Sequence, residues 1–189
     1  MIKGYNQYIN EELNLGNFFK KKKLEIPLNV ETDSLDLDSI DPYGEEDWDD
    51  DELITVLKIA KKRGLPYDQI TKLYCSGKEL TSLEGIENLQ NLQYLFCNRN
   101  NLTTLKGVEN LSNLQQLQCS NNNLNSLEGI ENLKKLKILW CDRNNLTNLY
   151  EIENLSILRT LVCSNNNFST RYKQHLIEYC KKKKILLSI

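Results

Sequence analysis

Six cysteines and a single histidine are the side chains of this 189-residue chain best equipped to ligate a metal, pair as disulfides or act as nucleophiles. Five of the thiols, Cys75, Cys97, Cys119, Cys141 and Cys163, stand 22 residues apart without a break, and Cys180 lies outside the series. His175 has no second histidine to work with. No phosphate-binding glycine loop, dinucleotide-binding glycine pattern or metalloprotease motif appears anywhere. The acidic stretch DPYGEEDWDD at residues 41–50 lacks the spaced ligands and central glycine of a calcium-binding loop, and reads as a solvated linker and helix start. Catalysis has no constellation to run on, so the expectation is a protein without enzymatic activity, cofactor or metal.

The elements that position the thiols follow from the same period. Aligned on the cysteines, the chain repeats L-x-x-L-x-C-x-x-N-x-L. The copies read Leu92, Leu95, Cys97, Asn100, Leu102; Leu114, Leu117, Cys119, Asn122, Leu124; and Leu136, Leu139, Cys141, Asn144, Leu146. Leu158, Leu161, Cys163, Asn166, Phe168 close the series, and a degenerate copy opens it: Ile70, Leu73, Cys75, Lys78, Leu80. A repeat of this length and spelling resembles a leucine-rich repeat array. Its unit length is similar to the short subclass typified by a regulatory subunit of protein phosphatase 1, and to giant-virus leucine-rich repeat proteins that also carry Cys at the core position. The resemblance covers residues 70–168 and implies an α/β solenoid: a coil with a parallel, concave β-sheet, short 3-10 or irregular convex arcs, and helical caps at both ends. It implies a binding scaffold far more often than a catalyst.

In such a coil, equivalent residues on neighbouring strands sit about 4.8 Å apart. The thiols then point inward side by side, which is poor geometry for a disulfide and does not converge tetrahedrally on zinc. Buried cysteine in that place acts as a small hydrophobe. Asn100, Asn122, Asn144 and Asn166 mark the strand exits, where an amide both donates to and accepts from turn backbone. Lys78 cannot accept, so the first turn is expected to be relaxed. The convex part reads G-I/V-E-N-L from Gly85, Gly107 and Gly129, with Glu151 replacing glycine in the fourth copy. A 22-residue unit leaves that arc little room for a full α-helix, so a 3-10 turn or a short irregular arc is expected. One unit cannot bury its own apolar face, so stacking is obligatory and the ends need caps.

Ser169 is placed to cap a helix through about Lys183, with Tyr172, Leu176, Tyr179 and Cys180 as its apolar stripe, and Ile185–Ser188 can add a further strand. At the front, Asp51 to Lys62 reads as an amphipathic helix ending at Gly64. Alternation over residues 23–39 suggests a hairpin, and residues 10–22 a short helix. The chain thus divides into an N-terminal extension at 1–45, an acidic-start cap helix at 46–69, five repeats at 70–168, and a C-terminal capping helix with a last strand at 169–189.

Function falls to the exposed strand positions, which alternate with the inward Leu and Cys. One column holds Tyr74, Phe96, Gln118, Trp140 and Val162; its neighbour holds Lys72, Tyr94, Gln116, Ile138 and Thr160. Aromatic and aliphatic residues gathered there mark a contact surface, with Trp140 as the leading anchor. Arg99 and Arg143 stand two strand spacings apart, roughly 10 Å, as a polar rim. The partner-binding set is therefore Tyr74, Tyr94, Phe96, Arg99, Gln116, Gln118, Ile138, Trp140, Arg143 and Val162, taking a protein or peptide. An adaptor that recruits an enzyme through residues 1–67, and a self-associating structural component, are the alternatives.

A net charge of -2 argues against general affinity for nucleic acid, although twelve acids and no base lie between Glu31 and Glu52, and Lys20–Lys23 and Lys181–Lys184 are basic runs. No apolar stretch is long enough to span a membrane, and the first residues carry no apolar run of signal-peptide length. An intracellular, cytoplasmic location is the expectation.

Overall fold

The computed structural model describes residues 67–189 and, ahead of them, the backbone of a short strand. The helices expected at residues 10–22 and 51–62 lie outside the described residues. Seven parallel strands form one sheet in chain order: β1 Ser34–Asp36, β2 Lys72–Tyr74, β3 Tyr94–Phe96, β4 Gln116–Gln118, β5 Ile138–Trp140, β6 Thr160–Val162 and β7 Leu186–Ser188. Of the hairpin expected at 23–39 only β1 is described, and it pairs in parallel with β2, Leu35 level with Leu73.

Each repeat contributes one three-residue strand, an inward leucine between two outward residues. The shared register aligns Leu73, Leu95, Leu117, Leu139 and Leu161 in a row, and these leucines and the five cysteines that follow them are fully buried. The convex arcs are 3-10 turns at Ile86–Asn88, Val108–Asn110 and Ile130–Asn132. Gly107 opens its arc at φ 97°, and a Cβ there would lie 3.0 Å from the Ile86 side chain of the coil before. Glycine is thus required twice over, for the left-handed backbone and for the approach of two coils. Where Glu151 replaces it, the left-handed start is given up and the 3-10 segment lengthens to Tyr150–Asn154.

The asparagines tie each coil to the one before. Asn122 Oδ1 accepts the Leu102 N–H at 3.1 Å, while its Nδ2 donates to the carbonyls of Cys97 and Cys119, each at 3.0 Å. Asn100, Asn144 and Asn166 repeat the pattern. The amide therefore serves the turn of the preceding repeat as well as its own. The first repeat has no preceding copy of the motif to serve, which is why Lys78 is tolerated at that position. Its own backbone N–H is bound instead by Asn100, at 2.9 Å. That first turn carries two left-handed residues, Gly77 and Glu79, where later turns carry one.

Behind the last repeat lies helix α1, Thr170–Lys183. Ser169 Oγ accepts the Tyr172 N–H at 3.1 Å, Leu176 and Cys180 are buried against the array, and Lys181, Lys182 and Lys183 fill the last turn, where positive charge suits the helix dipole. Lys184 turns left-handed at φ 59° and sends the chain into β7.

All six cysteines are free and buried. Cys97 Sγ donates to the Gln118 carbonyl at 3.3 Å and Cys119 Sγ to that of Trp140 at 3.4 Å. Burial pushes the Cys97 and Cys163 thiols up from 9.0 to about 12, and raises those of Cys75, Cys119 and Cys141 well above it. Among the described residues no three His, Cys, Asp or Glu are placed to hold a metal ion, and no helix is long and apolar enough to cross a membrane.

Two outcomes follow from this interior. Asn122→Ala strands the buried Leu102 N–H and takes one of two amide donors from each of the Cys97 and Cys119 carbonyls, and is expected to cost about 2 kcal/mol in urea unfolding, whereas Asn125→Ala on the exposed turn changes stability by less than about 0.5 kcal/mol. The raised thiols favour the neutral form only in the folded state, so their contribution is complete below pH 9 and is lost as pH climbs towards 12. Denaturation midpoints measured across that range should fall, and a thiol reagent at neutral pH should label none of the five column cysteines before unfolding.

Candidate partner-binding face

The pleat that buries Leu and Cys turns two residues of each strand outward. Tyr74, Tyr94, Phe96, Gln116, Ile138, Trp140 and Val162 are half-buried on this face of the sheet. Tyr74 and Phe96 are stacked, ring centroids 4.7 Å apart and planes 2° from parallel, a separation set by the strand spacing.

Gln118 departs from the exposed column expected of it. It is only 5% exposed, lies in register between Phe96 and Trp140, and accepts the Asn98 Nδ2–H at 3.1 Å. Buried in this way, Gln118 offers little surface of its own. Leu186, which sequence reasoning missed, extends the other column: it lies in register with Thr160 and is 71% exposed. Its signal was present in the sequence, since the strand it occupies had been anticipated, but the repeat motif does not continue into it.

At the strand exits a polar ladder crosses the coils. The Asn98 N–H donates to Ser76 Oγ at 3.1 Å, the Ser120 N–H to Asn98 Oδ1 at 2.9 Å, and Ser120 Oγ–H to Asp142 Oδ1. Beside it Arg99 and Arg143 are exposed and held left-handed, φ 56° and 55°. The same position is Gly77, Asn121 and Asn165 in the other copies, at φ 68°, 57° and 54°. At the strand entries a second ladder runs from Lys137 Nζ to Gln115 Oε1, and from Gln115 Nε2 to Gln93 Oε1, both 3.0 Å, with exposed Arg159 one coil further on. Lys137 and Arg159 were not singled out from sequence, although the 22-residue period would have aligned them.

The remaining titratable candidate is elsewhere. His175 is exposed on α1, its ring 5.9 Å from that of Tyr172. Tyr172 accepts the Leu149 N–H on its hydroxyl at 2.6 Å and packs near Phe168 and Tyr150, so this aromatic cluster fastens the cap. The sheet face thus carries apolar side chains between two polar margins.

No family model matches the sequence, and no curated protein matches it either. Solved structures do. A leucine-rich repeat protein of Leptospira interrogans is 32% identical, with a TM-score of 0.60 over 65% of this chain and 32% of its own. Internalin C2 of Listeria monocytogenes is 30% identical, with a TM-score of 0.53 over 56% of this chain and 46% of its own. A second internalin of that organism, 21% identical with a TM-score of 0.58, shares the fold over 65% of this chain and 36% of its own. The chain spans a third to a half of the length of these neighbours. Their likeness supports a protein-interaction module in general terms, and together with the seven-stranded parallel sheet and its 3-10 arcs it makes the fold of this chain a leucine-rich repeat solenoid.

Proposed function

We propose that this chain is a non-catalytic interaction module that binds a partner protein or peptide against the outward face of its sheet. The observation that carries the reading is the set of apolar side chains on the outward face, Tyr94 and Phe96 on β3 and Ile138, Trp140 and Val162 on β5 and β6, to either side of the two glutamines of β4, with Leu186 on β7. Apolar residues gathered on a sheet face beyond what the core needs mark contact with something, and aromatic anchors dominate the energy of such contacts. The 22-residue unit, with cysteine in the core row, supports placing the chain with the short-repeat subclass. Six free thiols support a reducing, intracellular setting.

A second reading, self-association, is favoured by one feature: β7 is the last strand of the sheet in chain order, and Leu186 and Ile189 beside it are 71% and 40% exposed. Light scattering over a concentration series is expected to report a monomer; growth in mass that Leu186→Glu abolishes would establish the second reading in its place.

The combined substitution of Tyr94, Phe96 and Trp140 by Ala removes three anchors and no core residue. Affinity capture of the natural partner should weaken at least a hundredfold, at roughly 1–2 kcal/mol or more per anchor, while circular dichroism and cooperative unfolding persist. Undiminished capture by that variant removes the sheet face as the binding site.

A further inference from the structure

Charge is segregated on this molecule in a way its total of -2 conceals. The positions bordering the strands of the five repeats carry four bases, Arg99 and Arg143 at the exits and Lys137 and Arg159 at the entries, against one acid, Asp142. That acid already accepts a hydrogen bond from Ser120. The four 3-10 arcs on the far side of the coil carry five acids, Glu87, Glu109, Glu131, Glu151 and Glu153, and no base. Among the described residues none of the four bases is in an ion pair. Lys137 has only the neutral Gln115 amide.

The two arginines also occupy backbone that resists them. Left-handed φ suits glycine and asparagine, the residues in the other three copies, and penalises a side chain such as arginine. Folding alone would favour Asn or Gly at positions 99 and 143, so the guanidinium groups are there despite the backbone.

Resting on the partner-binding reading above, we infer that the partner presents an acidic amphipathic helix, its apolar stripe on Tyr94, Phe96, Ile138 and Trp140 and its carboxylates on Arg99 and Arg143 along one margin and Lys137 and Arg159 along the other. Entry and exit margins are six residues apart along the chain, at most about 20 Å. A helix of about 10–12 Å diameter fits between them and leaves a few ångströms on each side for the basic side chains. Its turns advance about 5.4 Å, close to the ~4.8 Å between coils, so successive turns meet successive repeats. The paired arginines, roughly 10 Å apart, match carboxylates two turns apart.

The test uses the full chain and two synthetic peptides of about 18 residues sharing one Leu/Phe stripe, with Glu at the remaining positions of one and Lys in the other. Fluorescence anisotropy should show binding of the glutamate peptide only, weakening as salt rises from about 0.05 to 0.5 M. Arg99→Asn with Arg143→Asn should weaken it about tenfold while the thermal midpoint stays level or rises, and Arg171→Glu with Lys173→Glu on α1 should leave it unchanged. Equal binding of the two peptides, no binding of the glutamate peptide, or indifference to the arginine pair overturns the inference. If that happens while natural-partner capture still needs Tyr94, Phe96 and Trp140, the acidic helix falls and the partner-binding face stands. If the glutamate peptide binds only after the acids of residues 38–52 are changed to Asn and Gln, the occupant is the chain's own acidic segment, and a helix from another protein is overturned.

Discussion

A carboxamide that reaches back one coil is the interaction on which the rest of this structure depends. A strand of three residues has little hydrogen bonding of its own, and the turn that follows it would leave N–H and C=O groups stranded beside a dry row of leucines. Asn100, Asn122, Asn144 and Asn166 close that gap, each donating to two carbonyls and accepting from the backbone of the coil before it. Leucine and cysteine provide the apolar interior, but they would tolerate sliding. The amides fix the register, and with the register come the row of thiols, the close approach at Gly107 and the two outward columns.

The dependence has a direction. Because each asparagine satisfies the preceding repeat, the repeat at the front is exempt from carrying one, and Lys78 takes the position. At the back the motif lapses, and α1 with β7 covers the last coil through Leu176, Cys180 and the parallel pairing of Leu187 with Leu161. The replacement of glycine by Glu151 belongs to the same end. It lengthens the 3-10 segment from three residues to five, and the cap meets it through Tyr179, whose hydroxyl donates to the Ile152 carbonyl at 3.4 Å.

Much of this was legible in the residues alone. The five-fold period placed the strands, the inward row, the thiols in that row, the 3-10 arcs and the outward columns, because a strict repeat turns one local solution into five. What it did not convey depends on neighbours outside the motif. Gln118 is polar and sits at an outward position in register with Phe96 and Trp140, yet it is buried, and period alone does not convey how closely the surroundings of one copy pack. Leu186 lies on a strand with no repeat signature. The direction of the asparagine bonds was hidden too, since an amide can serve either adjacent coil until both are in place. The strain at Arg99 and Arg143 emerges only from the backbone, for nothing in the letters marks their position as left-handed.

The alternation of Arg99, Asn121, Arg143 and Asn165 along one edge gives the molecule the properties of a ruler. Duplicating or deleting a single 22-residue unit between the arginines would move them apart or together by ~4.8 Å while every surviving turn kept the same internal bonds. Spacing between charges can thus change in discrete steps through simple gene duplication, without redesign of a core. An architecture of this kind evolves its reach by counting.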